Sequence, residues 1–464
     1  MMTSHTTLEQ KFVELQRVET TPQHHRPKIQ RVAEHIRNRE KFKEHYSPRL
    51  MSIGPIHHDN TNLKLGEKYK LMWAAKYIED TGRNSHDLHK QIVDNIDELK
   101  RLFAEDVLTS TEESLNGFCS LDEKLSWILF VDGCSLLHIL ENADFNSPWP
   151  MNMKADQLSI VMMDVVLLEN QLPYLVLKLL WKNENEIELI NTMKNFHKRC
   201  DQWPAPENKR IWRPRIQKIL SVHNKKKEEE KDSKEHSVVI SMVNEPETEL
   251  PTHLLDLQRT IVLTKSFPKK SSSSYESIKI MTYRNIQDLR AVGIKLKSSA
   301  TRRPTDIDFS DGWFAAKLTL PEIVVDETTT ATFLNLIAYE MCPDYDNDYG
   351  VCSYVAFMDS LIDHPEDVRE LRSKRILHHC LCSDEEVANL FNLISKDLVD
   401  NTEIYLDVRD KIHKHCCNRY KIWIALGINT YFNNPWAFIA FLAAFIALTL
   451  TFVQTWFAIY PASK

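Results

Sequence analysis

Two short clusters carry the residue types that bind soft metals. They are His378-His379-Cys380-Leu381-Cys382 and His413-Lys414-His415-Cys416-Cys417. Neither has a C-x2-C pair or an H-x3-H helix pair, so the two would have to be joined across the fold to hold zinc. The reading favoured is core thiols beside surface histidines. His57 and His58 are adjacent. From a regular element they cannot both face one ion, so a capping or core role is expected. No G-x-S-x-G, H-E-x-x-H, Walker or G-x-G-x-x-G motif occurs, and no catalytic, cofactor-binding or metal residue is nominated. Ser, His and Asp are plentiful, which leaves a triad assembled by the fold open.

The remaining chemistry lies in Ile160 to Trp181, IVMMDVVLLENQLPYLVLKLLW. Asp164, Glu169 and Lys178 are too costly at mid-bilayer for a span, at about 2.5–3.5 kcal/mol each. Pro173 splits the run. It reads as two core helices joined at Gln171-Leu-Pro, with Glu169, Asn170 and Gln171 at a buried junction. There Glu169 and Asn170 can accept from the amides that the second helix leaves unpaired. A catalytic acid at Glu169 is the alternative.

Mostly helical elements must position these residues. Leu71, Met72, Ala75 and Ile78 share one side of a helix from Leu63 to Glu79, ended by Gly82. Ser120 caps the next long helix, with Glu123 in the capping-box position. Asn285 to Lys297 reads as a helix with Ile286, Leu289, Val292 and Leu296 inward. Ile307 to Val325 has strand character, with a hairpin turning at Asp311-Gly312. Asp326 and Ser383 are expected to cap further helices.

Composition narrows the function classes. The chain has 464 residues, and its 43% hydrophobic and 27% charged content is globular. Its net charge of −7 gives no global basic field for nucleic acid. Only nine glycines argue against a Gly-rich phosphate loop. Nine cysteines, an odd number scattered widely, suggest free thiols in a reducing compartment. The N-terminus lacks a secretory-signal pattern, and there is no Asn-x-Ser/Thr sequon. The charge run from Lys225 mixes both signs and reads as a solvated linker.

Trp436 to Tyr460 carries no ionisable side chain other than the terminal Tyr. A bilayer core of ~30 Å needs about 20 apolar helical residues, so this run can cross. Trp436, Trp456 and Tyr460 mark its ends with amphipathic rings. Arg409, Lys411, Lys414, Arg419 and Lys421 precede the run and Lys464 follows it. Positive-inside bias then predicts a cytosolic body on a tail anchor, and the plasma membrane is the membrane expected.

Several blocks together resemble one family. They are Tyr46-Ser-Pro with Ser52-Ile-Gly-Pro-Ile-His-His, then Asp132-Gly-Cys, Leu167-Leu-Glu-Asn-Gln-Leu-Pro-Tyr and His253-Leu-Leu-Asp-Leu. Leu289-Arg-Ala-Val-Gly-Ile-Lys, Asn335-Leu-Ile-Ala-Tyr-Glu, Phe357-Met-Asp-Ser-Leu-Ile, Asp384-Glu-Glu-Val-Ala and Tyr431-Phe-Asn-Asn-Pro-Trp follow in order. In that combination the chain resembles the plant family of unknown function numbered 247, over about residues 27–457. The motif positions are Gly54, Pro55, His57, Asp132, Gly133, Glu169, Asn170, Gln171, Pro173, Asp256, Pro435 and Trp436. Ala33, Ile56 and Cys382 depart from residues common in the family. The resemblance implies a mostly helical plant protein ending in one membrane helix, with no established activity. Certain grass members are implicated as pollen-side determinants of self-incompatibility, so that role is implied by resemblance alone.

The expected architecture is therefore mainly α, with a minor β hairpin. A mobile N-terminus (1–26) precedes a helical domain (27–430) with mobile insertions at 223–250 and 267–277. A transmembrane helix (436–457) follows. The expected function is a non-enzymatic interaction or recognition protein with an unidentified protein partner and no nucleic acid or cofactor. The alternatives are the self-incompatibility role and a membrane-tethered hydrolase or transferase.

Overall fold

A computed structural model describes residues 11–12, 28–38, 42–144, 147–200, 250–263, 285–299, 303–312, 316–345, 348–381, 383–396, 398–418, 420 and 435–459. The insertions expected at 223–250 and 267–277 lie outside the described residues, apart from Leu250. So does the N-terminal 1–26, apart from Lys11 and Phe12. The chain is mainly α with a few short strands. It divides into two compact units. The first is Lys43–Lys100 with Glu105–Thr264; the second is Met1–Phe42, Arg101–Ala104 and Lys265–Lys464.

The first unit contains α1 (Lys64–Thr81), α2 (Ser85–Asp94), α3 (Leu121–Asn142), α4 (Ala155–Asp164), α5 (Tyr174–Leu180), α6 (Glu186–Cys200) and α7 (Leu254–Leu263). Ser120 starts α3 as its spacing implies: its hydroxyl accepts from Glu123 N, while the Glu123 carboxylate accepts from Cys119 N. From Lys124 to Leu140 every α3 residue except Trp127 is buried. A helix apolar all round belongs in the middle of a core, and α1, α2, α5 and α6 all pack on it. Trp73 and Tyr77 of α1 add polar ties, donating to Met151 O (3.0 Å) and Leu180 O (3.1 Å).

The buried face of α1 is not the aliphatic one. Gly66, Lys70, Trp73, Ala74 and Tyr77 point inward, while Leu71 is exposed. Gly66 explains part of this. A Cβ there would sit 2.7 Å from Met51 Cα and closer still to Leu50 O. Only glycine lets α1 lie against that backbone. Gly66→Ala is therefore expected to cost about 2–3 kcal/mol through forced backbone movement. Gly82, at φ +64 but in open space, should lose only about 1 kcal/mol on the same change. Urea unfolding of the two variants in detergent, followed by tryptophan fluorescence, checks the ranking.

The second unit contains α8 (Ile286–Ala291), β1 (Ile294–Ser298), β2 (Asp308–Ser310), β3 (Ala316–Leu320) and β4 (Ile323–Val325). It continues with α9 (Glu327–Glu340), α10 (Gly350–Asp359), α11 (Pro365–Ser373), β5 (Leu377–His379), α12 (Asp384–Ile394), α13 (Leu406–Cys417) and α14 (Pro435–Ile459). The β2–β3 pair is antiparallel, with Ser310 opposite Lys317, so the expected hairpin is present. It belongs to a larger sheet of order β1-β3-β2, in which β1 runs parallel to β3. A second sheet pairs β4 with β5 in parallel.

The helix expected from Asn285 to Lys297 stops at Ala291. Gly293 turns the chain at φ +84, and Ile294 and Leu296 then face inward along a strand while Lys295 and Lys297 face out. Asp326 caps α9 by accepting from Thr329 N (2.7 Å), and Ser383 caps α12 by accepting from Glu386 N (3.1 Å). Glu340, buried at the end of α9, accepts from Val351 N and Cys352 N, each at 2.8 Å.

Within α14, Phe438–Trp456 is long and apolar enough to cross a membrane, and none of it is buried against the protein. Thr449, Thr451 and Thr455 donate their hydroxyls to Phe445 O, Ala447 O and Thr451 O. Those bonds hide hydroxyls that hydrocarbon would not solvate.

Candidate functional site

In the first unit, the motif residues converge on one irregular segment, 49–57. This stretch forms no helix or ladder over Arg49–Ile53, so its main-chain groups need other partners. Distant side chains supply them. Asp164 at the end of α4 accepts from Arg49 N (3.0 Å), Leu50 N (2.8 Å) and Met51 N (2.9 Å). Asn170 accepts from Ile53 N (2.6 Å) and donates to Met51 O (3.0 Å) and Asp164 O (2.9 Å). Asp132 accepts from Gly54 N at 2.8 Å. Gly54 has φ +76, and a Cβ there would come 2.8 Å from Gln171 O. Glycine is required for both reasons. Pro55 is buried beside it.

Lys70 is the charge at the centre of this arrangement. It is fully buried, and its ammonium meets Asp132 Oδ1 (2.7 Å) and Glu67 Oε1 (2.8 Å) and donates to Ser52 Oγ (3.2 Å). Its three donors are thus matched by three oxygens. Burial alone pulls the ammonium pKa down. Asp132 and Glu67 outweigh that, and Lys70 is held above the ordinary lysine value. Burial also pushes the Asp164 carboxyl up to about 6, against the pull of its amide donors.

Glu169 is fully buried and meets His57 Nε2 at 2.9 Å. Asn170, expected to cap the second helix, spends its side-chain oxygen on Ile53 N. The first residue of α5, Tyr174, donates its amide to Thr252 O instead, directly after the buried Pro173. Thr252 N in turn donates to Asp256 Oδ2 at 2.8 Å. Gln171 donates to Val165 O and Leu167 O and accepts from Leu255 N, pinning the start of α7. Gly133 faces α5, where a Cβ would meet Leu180 Cδ1 at 2.5 Å. Ten of the twelve motif residues thus belong to one polar frame and its packing, while Pro435 and Trp436 begin α14 in the other unit. Sequence reasoning missed Lys70 and Glu67, and quoted Ser52 only as part of a family block. The available signal was a lysine one turn after a helix-interior glycine.

Among the described residues, three imidazole–carboxylate pairs lie within hydrogen-bond reach at 3.1 Å or less: His57–Glu169 at 2.9 Å, His379–Asp384 at 2.8 Å and His415–Asp311 at 3.1 Å. The other nitrogen of His379 contacts Leu381 O. In the two metal-like clusters, His378 pairs with Glu322 (3.4 Å) and His413 lies 3.5 Å from Cys417 Sγ. Among the described residues, no three His, Cys, Asp or Glu side chains gather around a common point. The eight described cysteines are free thiols. Burial pushes Cys134 and Cys342 up to about 12, which makes them unreactive.

Two buried histidines couple the first unit to pH. His197 contacts Leu254 O (3.1 Å) through Nε2, and His253 accepts from Asp256 N through Nδ1. Burial lowers each from 6.5 to about 4. The unfolded chain takes up these protons near pH 6.5 and the folded chain only near 4. The stability they contribute is therefore present above pH 6.5 and lost as pH falls toward 4, about 3 kcal/mol for each. Asp164 acts in the opposite sense, because its folded form takes a proton near pH 6. His197→Gln keeps a donor for Leu254 O and removes one titration. Its stability should fall by about 3 kcal/mol less than wild type between pH 6.5 and 4, measured by urea midpoints.

Comparison with known proteins agrees with the block pattern. The family described as plant protein of unknown function, DUF247, matches residues 29–450. UPF0481 protein At3g47200 of Arabidopsis thaliana is 24% identical over 448 residues, covering 89% of this chain and 83% of its own length. Putative UPF0481 protein At3g02645 of the same plant is 23% identical over 477 residues, covering 90% of this chain and 88% of its own. No solved structure matches. With the family match running through nearly the whole chain, from residue 29 to residue 450, this protein belongs to the DUF247 family of plant proteins of unknown function.

Proposed function

We propose that this chain is a single-pass membrane-tethered protein that acts by recognising a protein partner rather than by turning over a substrate. The observation that carries this reading is the use made of the polar groups of the motif residues and of Asp164 beside them. Asp132, Asp164, Asn170 and Gln171 bond to the protein's own main chain, so they keep a shape. Exposed aromatic surface supports it: Trp149 is 87% exposed and Trp127 41%. Rigid aromatic side chains are favoured anchors in protein interfaces. The wholly exposed apolar α14 supports the tether. The basic residues before it support a body on the cytosolic side; the plasma membrane is the membrane we propose for it.

The test is proximity labelling in plant tissue with a tag at the N-terminus, comparing wild type with Trp149→Ala. One stable protein partner, labelled less by the variant, supports the proposal. Turnover of a metabolite by the purified protein would replace it with the tethered hydrolase or transferase. A partner found only in pollen, varying between alleles, would favour the self-incompatibility role. Release of the protein by carbonate washing would remove the tether.

A further inference from the structure

The outward face of the β1-β3-β2 sheet is basic. Side chains alternate along a strand, so each strand turns one set to the core and the other to solvent. Lys295 and Lys297 of β1 and Lys317 of β3 belong to the solvent set and are exposed. Lys295 stands in register with Lys317, and Lys297 follows two residues along, beside Thr319. Neighbouring strands lie about 4.8 Å apart and alternate residues about 6.6 Å apart, so the three ammoniums share one small area. Like charges in register across a strand pair destabilise it. No direct partner relieves these. Among the described residues, no carboxylate lies within ion-pair distance of any of the three. Asp308 of β2 is an acid on the same face, but it stands opposite Thr319 and acts on Lys411 of α13.

We propose that this lysine face docks on the anionic, phosphate-bearing headgroups of the membrane that α14 enters, a reading that rests on α14 being the tether. The net charge of −7 gives no wider basic field that would gather nucleic acid instead. The sheet and α14 belong to the same compact unit. Helix α13, which packs on β2, ends at Cys417, and α14 begins at Pro435. That connection can stretch to at most about 60 Å, so the sheet cannot leave the vicinity of the bilayer. Docking is then intramolecular, and three charges suffice where a free patch would bind weakly. The cytosolic leaflet carries the anionic lipids, on the side where the basic residues before α14 place the body.

The full chain is placed in nanodiscs of phosphatidylcholine alone, or of phosphatidylcholine with phosphatidylserine. Its lysines are acetylated with an uncharged amine reagent and read by mass spectrometry. Lys295, Lys297 and Lys317 should react at least roughly fivefold more slowly in the anionic discs, the effect of one lysine held near such a surface. Lys90, exposed on α2 of the first unit, should react equally in both. At ~1 M salt, where the Debye length is about 3 Å, the protection should vanish. In Lys295→Gln/Lys297→Gln, Lys317 should regain the rate it has in neutral discs. Equal rates for the three lysines in the two discs would overturn the docking, and so would an equal slowing of Lys90. A chain that does not co-elute with neutral discs would overturn the tether and the docking together. Co-elution with unprotected lysines would overturn the docking alone.

Discussion

Lys70→Met should destabilise the first unit by about 3–5 kcal/mol. The methionine fills a similar space, so packing is nearly kept. The loss arises because Asp132, 1% exposed and already pushed up by burial, loses its counter-charge and must either hold an unpaired charge or take up a proton, with Gly54 N as a remaining close donor. Glu67 and Ser52 also lose their shared partner. Against a typical total of about 5–15 kcal/mol, that is a large fraction. The double variant Lys70→Met/Asp132→Asn should recover more than half of the loss. Its amide oxygen still accepts from Gly54 N, and no charge is stranded. Urea unfolding of wild type, single and double variants decides this. A double variant no more stable than the single would show that the ammonium matters for its shape and not for its charge.

Asn170→Leu is the second large effect, expected at about 4 kcal/mol. Asn170 is fully buried and satisfies Ile53 N, Met51 O and Asp164 O together. Leucine has nearly the same shape but none of the polar atoms. Each main-chain group left dry without a partner costs about 1–3 kcal/mol. Hydrogen exchange should report the loss first at Ile53, whose amide has this side chain as its acceptor. A loss below about 1 kcal/mol would mean that segment 49–54 has found other acceptors.

The parts of this fold legible in the sequence are those decided locally. Ser120, Asp326 and Ser383 act as caps because capping chemistry needs only three or four residues. The buried junction at Glu169-Asn170-Gln171 was legible for a related reason, since polar residues inside an apolar run must be satisfied there. Their partners were not legible. Gly54 is 78 residues from Asp132, and Met51 is 119 from Asn170.

Helix α1 shows the limit of counting aliphatic residues. Its buried stripe includes a glycine chosen for backbone contact and a lysine chosen for a buried counter-charge. Neither contributes apolar signal, so the stripe of Leu71 and Ala75 looked stronger and faces outward. The end of α8 failed differently. Leu296 continues the helical spacing from Val292, yet I-K-L-K also alternates as a strand. Gly293 at φ +84 decides between the two.

The satisfaction of segment 49–54 by side chains fixes an order of assembly during synthesis. Ile53 waits for an acceptor 117 residues downstream. At about 5–20 residues per second, the ribosome needs roughly 6–24 seconds to make that intervening chain. For that interval the nascent segment has water or a chaperone as its partner. The N-terminal part of the first unit therefore cannot mature ahead of the loop that follows α4. Truncated translation products ending before residue 170 should be recognised as unfinished.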